Sequence, residues 1–308
     1  MQRQVELIGA AWGLGGADPA CADAPAVLAP MLAARLAACG VPSVPGPMLR
    51  PMTAERRKHF AVSKLCGLLA SAVADACRRD RLPCVLGGDH SCAGGTWSGV
   101  ARTLHEKSGG PLGLLWVDAH MDSHTPGTSH TGRLHGMPLA WLLGQDDDPL
   151  YGLATGVLQP QHVCIVGVRS FEPEEAERLA RLGVRVFHYE ELTRRGLAAV
   201  FKEALAIVMS GTARFGISID LDVITPTEVP HVGTPVAGGL ASAALARELE
   251  RIASHPALAA IELVEYSPEK DADGSSARVA VDLLAAALCG NSGGSQEKPK
   301  VAAEALRR

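Results

Sequence analysis

The sequence predicts an α/β protein, a largely parallel sheet covered by helices on both faces. Three observations carry that expectation. Short apolar runs alternate with longer segments over most of the 308 residues, the pattern of strand–helix units. The longer segments are rich in Ala, Leu, Glu and Arg at a period of 3.6. Several apolar runs end in a carboxylate or an imidazole, and the carboxyl ends of the strands are where open α/β sheets place ligands.

Along the chain, VELIGA at Val5–Ala10 reads as the first strand. GLGGAD (13–18) follows it and invites a nucleotide-loop reading, but lacks the full GxGxxG spacing. Residues 52–79 carry a helical pattern, and the strand at 82–86 runs into GGDHS (87–91), which brings Asp89 and His90. Asp89 is expected to orient a ligand rather than be one, and Cys92 to be a small buried hydrophobe. The strand Leu112–Val117 runs into Asp118, His120 and Asp122. Trp116 and Trp141 read as packing, and the acidic run at 146–148 as a solvated turn. Strand patterns at 162–168, 184–188, 215–219 and 260–264 interleave with helical ones at 174–182, 195–209 and 241–253. The last two strands deliver Asp220 with Asp222, and Glu265. Beyond Gly290 the pattern is lost in a Gly/Ser-rich and then charged stretch. One domain over residues 1–289 is expected, with a tail (290–308) that is mobile or used in subunit contacts.

Composition narrows the classes. A formal net charge of −4 without a dense Lys/Arg run argues against a nucleic-acid surface. Eight scattered cysteines with no CxxC pair fit a reducing compartment better than a disulfide-stapled secreted fold. The N-terminus lacks a signal pattern, because Glu6 interrupts its only apolar stretch. No run is expected to reach the length of a membrane span. A cytoplasmic protein is the expectation.

Four strand ends bearing acids or histidines point to one shared site. His90, Asp118, His120, Asp122, Asp220 and Asp222 offer oxygen and nitrogen but no thiolate, which suits hard or borderline ions such as Mn²⁺. Four carboxylates in one cavity repel, and two divalent ions cancel their charge where one does not. Such a pair can lower the pKa of a shared water and yield a hydroxide nucleophile.

GGDHS (87–91), DAHMD (118–122) and SIDLD (218–222), with GTPVAGGL (233–240) and LVEYSP (263–268), resemble the signature blocks of the ureohydrolase family, in order and in spacing. That family comprises arginases, agmatinases and relatives that split guanidino groups into urea and an amine. The resemblance implies a three-layer α/β/α sandwich around a mainly parallel eight-stranded sheet, with two Mn²⁺ ions per chain and assembly into trimers or hexamers. It implies that His90, Asp118, Asp122 and Asp220 surround one ion and that His120, Asp118, Asp220 and Asp222 hold the other. Asp122 would also accept the nucleophile's proton, Glu265 would pair with the substrate guanidinium, and His135 would protonate the departing amine. HTPGTSHTGRLHGMPL (124–139) and VGVRSFEPEE (166–175) resemble the arginase blocks that read the substrate's α-carboxylate and α-amino group. Thr131 and Glu172 match the reading positions there, and Thr234 the pocket wall. His124 stands where many arginases carry Asn, and Glu172 where many carry Asp. Those departures leave agmatine or 4-guanidinobutyrate open as alternative substrates. Also open are a deacetylase-type zinc amidohydrolase and a non-catalytic metal-stabilised binding protein. His130 and Arg133 read as solvated loop residues.

Overall fold

The computed structural model describes residues 3–51, 57–107, 109–145, 156–253 and 255–289, and among them eight strands form one sheet. In chain order these are β1 (Val5–Ala10), β2 (Ser43–Leu49), β3 (Leu82–Gly87), β4 (Leu112–Val117), β5 (Val163–Val168), β6 (Arg185–His188), β7 (Arg214–Asp220) and β8 (Leu258–Val264). Their lateral order is β2-β1-β3-β8-β7-β4-β5-β6, and every neighbouring pair is parallel. The helices are α1 (Ala24–Ala38), α2 (Lys58–Arg78), α3 (Ala93–Lys107), α4 (Pro138–Leu142), α5 (Pro173–Leu182), α6 (Tyr189–Arg195), α7 (Leu197–Met209), α8 (Ser242–Glu250) and α9 (Ser275–Cys289).

Side chains alternate across the sheet and feed two cores, one on each face. Leu115, Val117, Ile217 and Ile219 meet α1 and α6 to α9 on one side. Leu114, Trp116, Val85 and Ile165 meet α2 to α5 on the other. The expected three-layer α/β/α sandwich is therefore the observed one.

The seven strands read from the sequence are all present, within two residues at either end. The eighth, β2, carries Pro45 and Pro47, residues that mask a strand in sequence but are tolerated at a sheet edge, where a missing N–H breaks no central ladder. The helix expected over 195–209 is α7, which starts at Leu197 because Gly196, with φ 83°, turns the chain out of a preceding helix, α6, that the sequence reading lacked. Residues 52–56 of the expected helix, the acidic run at 146–148 and the tail at 290–308 lie outside the described residues.

One expectation is corrected. The segment Pro19–Ala38 and helix Lys58–Arg78 are long and apolar enough to cross a membrane by length and composition. No charge interrupts α2 between Lys64 and Asp75, so small apolar residues reach the threshold without a run of large aliphatics. Both helices spend their apolar faces inside the protein, Leu28, Leu32 and Leu36 in one core and Leu65, Leu69 and Val73 in the other.

The register prepares the site. Trp116, Ser218 and Glu262 stand opposite one another on β4, β7 and β8, so their side chains form one row on one face. Trp97 of α3 closes that row by donating from Nε1 to Glu262 Oε1 at 2.7 Å. A Cβ on Gly216 would lie 2.0 Å from Trp97 Cζ3. Gly216→Ala is therefore expected to destabilise the fold by about 1–3 kcal/mol through overpacking. A thermal melt checks it, and an unchanged Tm contradicts this account of the contact.

Candidate metal centre

The ligand-type side chains emerge together because β3, β8, β7 and β4 are lateral neighbours. Asp118 follows β4 directly, Asp220 closes β7, and Glu265 follows β8. His90 sits three residues beyond β3, where Asp89 caps a short 3-10 turn by accepting from Ser91 N–H. Asp122 and Glu265 have φ of 46° and 67°, a left-handed backbone that is costly for side-chain-bearing residues and concentrates at functional sites.

Two clusters result. In the first, one oxygen or nitrogen from each of His90, Asp118, Asp122 and Asp220 lies within 4.8 Å of the others. His90 Nδ1 is 2.9 Å from Asp122 Oδ2, 3.1 Å from Asp220 Oδ2 and 3.2 Å from Asp118 Oδ2. The second cluster joins Asp118, His120 and Asp222, with His120 Nδ1 3.0 Å from Asp222 Oδ2. Asp118 belongs to both. Asp220, expected to bridge as well, groups with the first cluster only, and its Oδ1 accepts from Asp222 N–H at 2.9 Å.

The donor set fits cations. Although three carboxylate oxygens surround it, the buried His90 Nδ1 makes no hydrogen bond of acceptable geometry. An imidazole nitrogen and carboxylate oxygens turned towards one point without bonding to each other are what an ion would join. Charge argues the same way. Asp118, Asp122, Asp220 and Asp222 are each less than a tenth exposed, too buried to ionise together unaided. Burial and the charge on Asp118 push Asp122 up to about 6. Burial, Asp222 and Asp118 raise Asp220. Burial opposes ionisation of Asp118 too, but contacts with His120 and His90 hold it low. Both histidines rise against their burial because the carboxylates demand positive charge.

Other groups hold the ligands in place. Trp116 donates from Nε1 to Asp118 Oδ2 at 2.8 Å and stacks on the His90 ring. Ser218 Oγ lies 2.9 Å from His90 Nε2 and donates to Glu262 Oε1 at 2.7 Å. Ser218, Glu262 and the second role of Trp116 were missed in the sequence. Their signals were there, since Ser218 shares the face of Asp220 two residues on, and Glu262 is an acid inside an apolar strand. Ser218→Ala is expected to weaken metal retention by about 10–100-fold. Dialysis against a graded chelator checks it, and wild-type retention removes Ser218 from this role.

A cavity of about 180 Å³ opens over the clusters, lined by His120, Asp122, His124, Thr131, His135, Glu172, Glu175, Asp220 and Thr234 among others. Thr234 donates to Asp222 Oδ2 at 3.2 Å. Exposed His130 and Arg133 also reach the rim. Glu265 lies buried behind this wall, its Oε1 accepting from His90 N–H at 2.8 Å and 2.9 Å from His135 Nδ1. Burial alone would lower the pKa of His135, but the Glu265 charge lifts it to about 9. His124 is placed between Glu172 and Glu175, an arrangement the sequence reading left unsettled. As expected, Asp89 joins neither cluster and Cys92 is buried; Asp89 holds Gly15 N–H and Ser91 N–H. A larger cavity of about 590 Å³ lies near the start of β4, against Ala70, Arg102 and His105. It gathers no ligand cluster among the described residues.

A parallel α/β/α sandwich with adjoining carboxylate–imidazole clusters beyond its central strands defines a metal-binding hydrolase. Comparison with known proteins makes that specific. A model of the arginase family matches residues 7–290. Arginase from Brevibacillus brevis is 40% identical over 218 residues, covering 70% of this chain and 72% of that protein. Arginase from Bacillus caldovelox is 37% identical over 230 residues, covering 74% and 75%. The solved structure of the Bacillus caldovelox enzyme superposes with a TM-score of 0.86 at 32% identity, covering 94% of this chain and 99% of that one. The chain belongs to the arginase family, and is a hydrolase of the ureohydrolase type.

Proposed function

We propose that this chain hydrolyses L-arginine to L-ornithine and urea with two Mn²⁺ ions bound. The observation that carries the reading is the meeting of two ligand clusters at Asp118 beneath a cavity that also exposes His135. The similarity to arginases supports the substrate. His90, Asp118, Asp122 and Asp220 would hold one ion, and His120, Asp222 and Asp118 the other, with Asp220 reaching it once Oδ1 turns from Asp222 N–H. When bound, such a pair supplies a water of near-neutral pKa as the nucleophile.

This chain's residues do the rest. Asp122, whose Oδ2 stands 2.9 Å from His90 Nδ1 at the floor of the cavity, takes up the proton that attack on the guanidinium carbon releases. Glu265 has Oε1 committed to His90 and His135 and Oε2 accepting from the Cys21 thiol at 3.9 Å, so it would meet the guanidinium by turning out of this buried position. Its charge keeps His135 an imidazolium at neutral pH, and His135 gives that proton to the departing amine. Thr131, His124 and Glu172 face the far end of the substrate, and Thr234 shapes the pocket by holding Asp222. All eight cysteines are free thiols, which supports placing the protein in the cytoplasm.

One observation favours a second reading. His124 Nε2 lies 3.0 Å from Glu172 Oε2 and 3.2 Å from Glu175 Oε2. An imidazole holding these acids competes with a substrate ammonium and would favour 4-guanidinobutyrate. After Mn²⁺ loading, urea release is expected to be fastest from arginine, then 4-guanidinobutyrate, then agmatine. Equal or faster turnover of either of the others overturns the arginine assignment.

A further inference from the structure

We propose that His124, Glu172 and Glu175 form a third cation site, suited to Zn²⁺, at the mouth of the cavity. The three offer one nitrogen and two oxygens that lie within 4.8 Å of one another, apart from the two clusters already described. His124 Nε2 stands between the two carboxylates, at 3.0 and 3.2 Å. Its other nitrogen, Nδ1, is 3.2 Å from Thr128 Oγ1, the kind of outer contact that fixes the orientation of a metal-binding imidazole.

Besides the hydrogen bond between His124 Nε2 and Glu172 Oε2 at 3.0 Å, the acids are held by the start of the helix. Glu172 and Glu175 form the reciprocal capping box that starts α5, and Glu175 Oε1 also accepts from Ser123 N–H at 2.9 Å. The helix cap thus brings two carboxyl groups together, one 49% and the other 4% exposed. The cap needs no imidazole, so His124 is what turns a helix start into a mixed ligand set. Three protein ligands with a fourth position open to the cavity is the arrangement of an accessible zinc site. A cation there and a substrate ammonium would exclude each other, a consequence that rests on the arginine reading. The site itself does not depend on that reading.

Protein loaded with Mn²⁺ is equilibrated with Zn²⁺, and total bound metal per chain is measured by elemental mass spectrometry. Wild type is expected to hold one ion more than His124→Asn and Glu172→Gln, with the last ion bound at least tenfold more weakly in each variant. Thermal melts of both variants verify folding, and Glu172→Gln keeps a side-chain acceptor for the cap. The reading is the difference between chains, so it survives whatever the main clusters hold. Equal totals in wild type and a folded variant overturn the third site.

Discussion

Asp122→Ala is expected to abolish urea release, by on the order of a thousandfold or more, and to loosen the bound metal. The size follows from what is lost together. The variant lacks one of the four ligand residues of the first cluster and the carboxylate beside His90 Nδ1. Losing several kcal/mol of transition-state charge stabilisation costs orders of magnitude in rate. Alanine also fits poorly at φ 46°, a left-handed conformation that Asp and Asn visit more readily. Asp122→Asn keeps that backbone preference while removing the charge, so it separates shape from chemistry. Near wild-type activity in the Asn variant would show that Asp122 is neither base nor essential ligand.

His135→Asn is expected to slow turnover by about 10²–10⁴-fold, the usual worth of a placed proton donor, while both metals stay bound. The imidazole meets Glu265, and none of the clustered ligand atoms is its own. Its pKa is raised, so the donor form is complete below the ordinary histidine value and is lost as pH climbs through about 9. In wild type kcat is expected to fall above that pH, and the Asn variant should lack this alkaline limb. Removing the Glu265 charge would leave burial to pull His135 downward, which moves the limb to lower pH. A kcat–pH profile of His135→Asn matching wild type would hand the proton to water or another group.

The parts of this molecule legible in its sequence are those set by local pattern. Apolar runs ending in acids marked β4 and β7 and placed Asp118, Asp220 and Asp222 without reference to the rest of the chain. What escaped depends on lateral register, which no local window contains. Ser218 and Glu262 become partners of His90 only because β7 and β8 pair with those residues opposite. His124 presents the same difficulty, since its partners Glu172 and Glu175 lie 48 and 51 residues away on another loop and helix. Strand β2 was hidden for a different reason, its prolines being permitted by an edge position that sequence cannot reveal.

The lateral order of the sheet also makes the two clusters depend differently on one strand. Strand β8, next to last in the chain's sequence of elements, lies between β3 on one side and β7 on the other. Without residues 258–264 no strand pairing joins the β2-β1-β3 half of the sheet to the β7-β4-β5-β6 half. Asp118, His120 and Asp222 all hang from the half that contains β4 and β7. His90 hangs from the half that contains β1 and β3. One cluster's ligands therefore lie within a single half of the sheet, and the other's meet only through the strand that joins the halves.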